Sequence, residues 1–126
     1  MTEQEMKQRT KAFALRVLKL VDSLPDSRSG RILAGQLGRS GTSVGANYRA
    51  ACRSRSRAEM VSKLSIVEEE ADESEFWMEL VVDHGVMTAM HLAPLRKEAS
   101  EIVAMMVASR KTLLTNDRKS RIQNRK

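Results

Sequence analysis

The chain has 126 residues and a mass of 14.2 kDa, room for one ordinary domain built on one core. Apolar residues at 41% and charged residues at 30% exclude a disordered chain, and apolar runs such as Ile102 to Ala108 are too short to cross a bilayer. The net charge of +6 points toward anionic partners. The opening residues lack the apolar core of a secretory signal, and the lone Cys52 fits a reducing compartment, so a cytoplasmic location is expected.

Residues that lose little on entering a helix dominate, and no segment alternates apolar and polar positions between turn signals. The expected class is all-α. A first helix over residues 2–23 places Met6, Thr10, Phe13, Val17, Leu20 and Leu24 on one face, and Pro25 ends it. A second helix over 27–51 carries an apolar stripe of Leu33, Leu37, Val44 and Tyr48. Beside it runs a polar stripe of Gln36, Ser40, Ser43 and Asn47, expected to hydrogen-bond inside the bundle or across subunits. On the other flank Ala34, Gly38, Gly41 and Gly45 form a small-residue seam. Each glycine costs about 0.8–1.0 kcal/mol against alanine in a helix, so a glycine-rich loop is the competing reading unless a neighbouring helix approaches closely.

The third helix, over 56–84, opens on Ser56-Arg57-Ala58-Glu59, with capping-box spacing, and stops at His84-Gly85. Met60, Leu64, Val67, Ala71, Met78 and Val82 face one side, while Ile66, Trp77 and Leu80 lie on the other and mark an expected subunit interface. The fourth, over 94–114, starts at Pro94 and aligns Leu95, Ala99, Ile102, Met106 and Leu113. Short connections favour an antiparallel up-down-up-down four-helix bundle over residues 1–115, followed by a flexible basic tail over 116–126.

Charge is segregated. Residues 1–57 hold twelve Lys/Arg against four Asp/Glu, 58–101 three against eleven, and 102–126 seven against one. Arg39, Arg49, Arg53, Arg55 and Arg57, with the tail residues Arg118, Lys119, Arg121, Arg125 and Lys126, are the candidate nucleic-acid contacts, because cations that neutralise phosphates release condensed counterions. Ordinary solvation of helix ends is the alternative. With four aromatic residues in the chain, base stacking has little source, so binding should follow shape and backbone. The acidic stretch Glu68 to Glu73 reads as a salt-bridging face.

Chemistry is scarce. The glycines lack phosphate-loop spacing, two histidines and one cysteine make no metal set, and no Ser–His–carboxylate arrangement can be assembled from the spacing. Arginines around Cys52 offer one way to lower its pKa and make it reactive, but no other element supports catalysis, and an incidental exposed thiol is the favoured reading. Nor does a base accompany the serines of the polar stripe. No enzyme, cofactor or metal is expected.

The run Gln36-Leu37-Gly38-Arg39-Ser40-Gly41-Thr42-Ser43-Val44-Gly45-Ala46-Asn47 resembles the signature of a bacterial four-helix-bundle family encoded in intervening sequences of 23S ribosomal RNA genes, often labelled ribosomal protein S23. Phe13 to Val17, Ser56 to Leu64 and Glu70 to Leu80 match in the same order, so the resemblance covers roughly residues 8–114. It implies an antiparallel bundle that forms a homopentamer, with basic surface for nucleic acid, RNA foremost. Related bundles serve as accessory subunits of the reverse transcriptase of diversity-generating retroelements, which makes a protein adaptor the alternative role. This chain departs from the pattern with Tyr48-Arg49-Ala50-Ala51, where many members carry Glu-Gly, and with its arginine-rich tail.

Overall fold

A computed structural model describes residues 1–124. Four helices follow one another with no strand among the described residues: α1 (Glu3–Asp22), α2 (Arg28–Cys52), α3 (Arg57–Asp83) and α4 (Ala89–Asn124). Each start has a local cause. Thr2 and Glu5 form a reciprocal capping box on α1, and the Ser27 and Ser56 hydroxyls accept from Gly30 N and Glu59 N on α2 and α3. The box on α3 is displaced by one residue, since the Glu59 carboxylate accepts from Arg55 N rather than from Ser56. At the end of α3, Gly85 adopts φ +79°, Val86 N donates to Val81 O and Gly85 N to Val82 O, a Schellman closure that only a left-handed residue permits.

The fourth helix differs most from expectation. It begins at Ala89, where the Thr88 hydroxyl accepts from His91 N at 3.2 Å, and Pro94 sits inside its second turn. Proline is tolerated there because the carbonyl it orphans belongs to Met90, a residue 86% exposed and open to water. At its far end α4 runs ten residues past Leu114, so helix replaces the expected flexible tail through Asn124. The apolar pattern ends at Leu113 because no core lies beyond, but no glycine or proline follows to stop the helix.

Successive helices pack on one another, and the α1–α4 contact is the sparsest. Phe13 and Val17 of α1, Leu37 and Val44 of α2, Leu64, Val67 and Met78 of α3, and Ile102 and Met106 of α4 are fully buried at the centre. The core stripe of α3 ends on Val81, with Val82 only half-buried, and it includes Ser74. The glycine seam of α2 faces α1. A Cβ on Gly45 would lie 3.3 Å from the Thr10 carbonyl oxygen, and one on Gly41 2.6 Å from Val17. That close approach offsets the propensity cost that made a loop competitive. Across the thin α1–α4 seam the Arg9 guanidinium grips Glu98 at 2.7 and 2.8 Å and Glu101 at 2.6 Å. Its hydrogen bonds hold the Glu98 carboxyl below the usual glutamate range, against the opposing effect of burial.

Candidate nucleic-acid interface

Antiparallel connectivity brings the start of α1, the end of α2, the start of α3 and the end of α4 to one pole of the bundle. Lys7 and Lys11, Arg49 to Arg57 and the basic extension of α4 therefore lie toward that pole, whereas Arg16, Lys19, Arg28 and Arg31 lie at mid-shaft or toward the other. Among the described residues, four of the six paired cations, Arg31, Arg39, Arg96 and Arg110, bind carboxylates along the shaft or at the opposite pole. Arg9, level with Lys7 and Lys11 on α1, binds Glu98 and Glu101 of α4, and Lys63 holds Glu59 at 3.0 Å. Lys7, Lys11, Arg49, Arg53, Arg55 and Arg57 form no ion pair among the described residues.

Arg39 stands apart from the other candidate nucleic-acid contacts: its guanidinium reaches across to α3, 3.0 Å from Glu70 and in contact with Glu73, whose carboxyl it holds below the usual range. Glu70 and Glu73 thereby act as part of a salt-bridging face, as does Glu68 with Arg110.

Arg49 and Arg53 stand on the last turn of α2, both exposed, between two hollows. On one side a groove of about 630 Å³ separates α1 from α2, with Lys7 and Lys11 on its opposite rim. On the other a hollow of about 390 Å³ is shared with Lys63 of α3. Lys7, Lys11 and Lys63 were not singled out from sequence. Their signal was an i, i+4 lysine pair flanking the apolar face of α1, which becomes meaningful only once α2 is known to lie against that flank. Arg55 and Arg57 are exposed at the α2–α3 connection, and Arg118 and Lys119 are exposed on the extension of α4. The Arg121 side chain, Arg125 and Lys126 lie outside the described residues.

The polar stripe divides. Ser40 is fully buried and its hydroxyl accepts from Ser74 at 2.9 Å, a hydroxyl pair that joins α2 to α3. The others bond within α2: Ser43 donates to the Arg39 carbonyl, Asn47 to the Ser43 carbonyl, and Gln36 accepts from Arg39. The expected interface residues also divide. Ile66 is exposed, whereas Trp77 and Leu80 are half-buried against the core on the α2 side of α3 instead of on a far face. Together with Ile32 they edge an apolar groove of about 390 Å³, and Phe76, 49% exposed, meets the Trp77 ring edge-on at 5.2 Å. Ile32 and Phe76 were missed because both lie off the core stripes.

At the same groove the fold makes a Ser–His contact that spacing did not reveal, with His84 Nε2 3.1 Å from Ser29 Oγ. The pair is exposed, and no carboxylate accepts a hydrogen bond from the ring among the described residues, so no such contact orients it as a base. Cys52 also differs from expectation. Burial pushes its thiol up to about 11, Glu3 adds to the rise, and Tyr48 and Lys7 oppose it. Its ordinary value being 9.0, the thiolate at neutral pH is roughly a hundredfold scarcer than in a free cysteine. Iodoacetamide should therefore label the folded protein far more slowly at pH 7 than the urea-unfolded chain, and equal rates would remove this assignment. No group of three or more metal-ligating side chains forms among the described residues, and none of their helices is long and apolar enough to cross a membrane.

A sequence model of the 23S rRNA-intervening sequence protein family matches residues 2–108. The chain belongs to that family. It also resembles a crystal structure from Bacteroides thetaiotaomicron, a protein of unknown function from the S23 ribosomal protein family, with 32% identity and a TM-score of 0.82. The match covers 88% of this chain and 99% of that one. No curated protein matches it. Family membership and this likeness agree with the four-helix fold, and the match ends at residue 108, before the basic extension of α4.

Proposed function

We propose that this member of the family is a non-enzymatic nucleic-acid-binding bundle, with RNA its favoured ligand, acting as a homo-oligomer in which a pentamer is favoured. The observation that carries the reading is the sorting of cations. Arg9, Arg39, Arg96 and Arg110 are paired with carboxylates, and Arg16, Lys19, Arg28 and Lys97 are dispersed toward mid-shaft or the opposite pole, while Lys7, Lys11, Arg49, Arg53, Arg55 and Arg57 gather toward one pole with no ion pair among the described residues. Unpaired like charges gathered on one surface repel each other and are stabilised by an anion with many charges, such as a phosphate backbone. The apolar groove edged by Ile32, Trp77 and Leu80, with Phe76 and Ile66 nearby, supports self-association, which would repeat the basic pole in each subunit. Glu69, Asp72, Glu79 and Asp83, exposed on the outer face of α3, favour a second role in which a basic protein partner, such as a reverse transcriptase, docks there.

The test compares two variants. R49A/R53A should weaken binding to a structured RNA at least ~10-fold at moderate salt and lower the slope of log affinity against log salt by roughly 1.4 to 1.8. R39A should leave both nearly unchanged, since its guanidinium is held by α3. Equal losses in the two variants would remove the sorting of cations as the basis of binding.

A further inference from the structure

We propose that the groove between α1 and α2 is the track of a single nucleic-acid strand, which it holds by its phosphodiester backbone with the bases turned outward. The assignment rests on the nucleic-acid-binding reading above and adds to it the site and the strandedness of the ligand. Lys7 and Lys11 rise from one rim and Arg49 and Arg53 from the other, and no carboxylate lines the groove. Both pairs are spaced i, i+4, a rise of ~6 Å along their helices, which is the scale of one nucleotide step in an extended strand. Successive phosphates can therefore meet successive cations on both sides.

The floor admits a chain because its side chains are small. Ala14, Gly45 and Ala46 line it, and Gly45 brings α2 so close to α1 that a Cβ there would lie 3.3 Å from the Thr10 carbonyl oxygen. Helices in such contact have axes ~8–10 Å apart, too close for a double helix to enter between their rims. A duplex would touch only the outer ridge of arginines. The lining contains no aromatic residue on which a base could stack, whereas the amides of Gln4 and Gln8 stand beside the lysines as backbone partners. The ligand is thus gripped by charge and width, with little preference for sequence.

The experiment measures fluorescence anisotropy of the full chain with a labelled oligouridine of about 12 nucleotides and with an RNA duplex of equal length. Wild type should bind the single strand more tightly than the duplex. K7A/K11A should lose at least ~10-fold in single-strand affinity and about 1.4 in salt slope, with a smaller change for the duplex. Ala46→Glu places a carboxylate on the exposed floor and should give the same selective loss, while both variants keep the wild-type helical circular dichroism. If the strand binds wild type and the two variants alike, the groove assignment falls and the arginine pole stands. If wild type binds neither nucleic acid, both readings fall together.

Discussion

Replacing Phe13 by alanine is expected to lower the free energy of unfolding by about 3–5 kcal/mol. Phe13 is fully buried, and its ring is the largest side chain that α1 commits to the core. Truncation loses the transfer free energy of the ring and leaves a cavity that neighbouring helices, held at fixed separation by the glycine seam, can fill only in part. The loss falls on the helix least secured, because α1 meets α4 sparsely and depends on α2 for most of its packing. In a domain whose total stability is of order 5–15 kcal/mol, that is a substantial share. Urea unfolding followed by circular dichroism should show a lowered midpoint at unchanged slope, and a loss below ~1 kcal/mol would contradict the burial assigned to this ring.

Gly41→Leu is expected to be nearly as damaging, at about 3 kcal/mol. A Cβ at this position would lie 2.6–2.9 Å from three side-chain atoms of Val17. Val17 is fully buried and β-branched, so its side chain has no free rotamer to move into. The helices would have to part, disturbing also the contact of Gly45 with the Thr10 backbone. The gain of ~0.8–1.0 kcal/mol from removing a helical glycine offsets only part of that strain. Gly35, on the same helix, has nothing within 4 Å of its would-be Cβ. Gly35→Ala should therefore stabilise the protein by up to ~1 kcal/mol, and thermal melts of the two variants should shift in opposite directions. Shifts of the same sign would show that the seam is not a close contact.

The fold was largely legible in the sequence, and the reason is periodicity. Met6, Thr10, Phe13, Val17 and Leu20 recur at helical spacing, and all five are buried. Helix two was legible only in part. Its glycines argue for a loop when counted alone, and only the position of Val17 and Thr10 across the seam shows why they are helical. The α4 extension was misread because amphipathic pattern records contact with a core, and a helix that leaves its core carries no such record.

For the candidate site, charge segregation along the chain located the basic pole, but not which cations are free there. Arg39 and Arg49 look alike in sequence. One faces Glu70 and Glu73 across the α2–α3 contact, and the other faces a groove without carboxylates. Lys7 and Lys11 went unnoticed because their importance arises from a residue in another helix, Gly45, which sets the depth of the groove they border. Cys52 shows a related limit, since the reactive reading of its thiol rested on sequence neighbours alone. Nearby arginines in sequence are not nearby charges in space, and burial governs the thiol instead.

The central claim, that the basic pole binds nucleic acid through phosphate contacts, is tested most directly by the affinity of the wild-type protein for RNA measured across a salt series. Four cations in direct contact with a single strand predict a slope of log affinity against log salt near −2.8, and contacts from Arg55 and Arg57 would steepen it toward −4.2. A slope near zero, or no binding at low salt, would contradict the account.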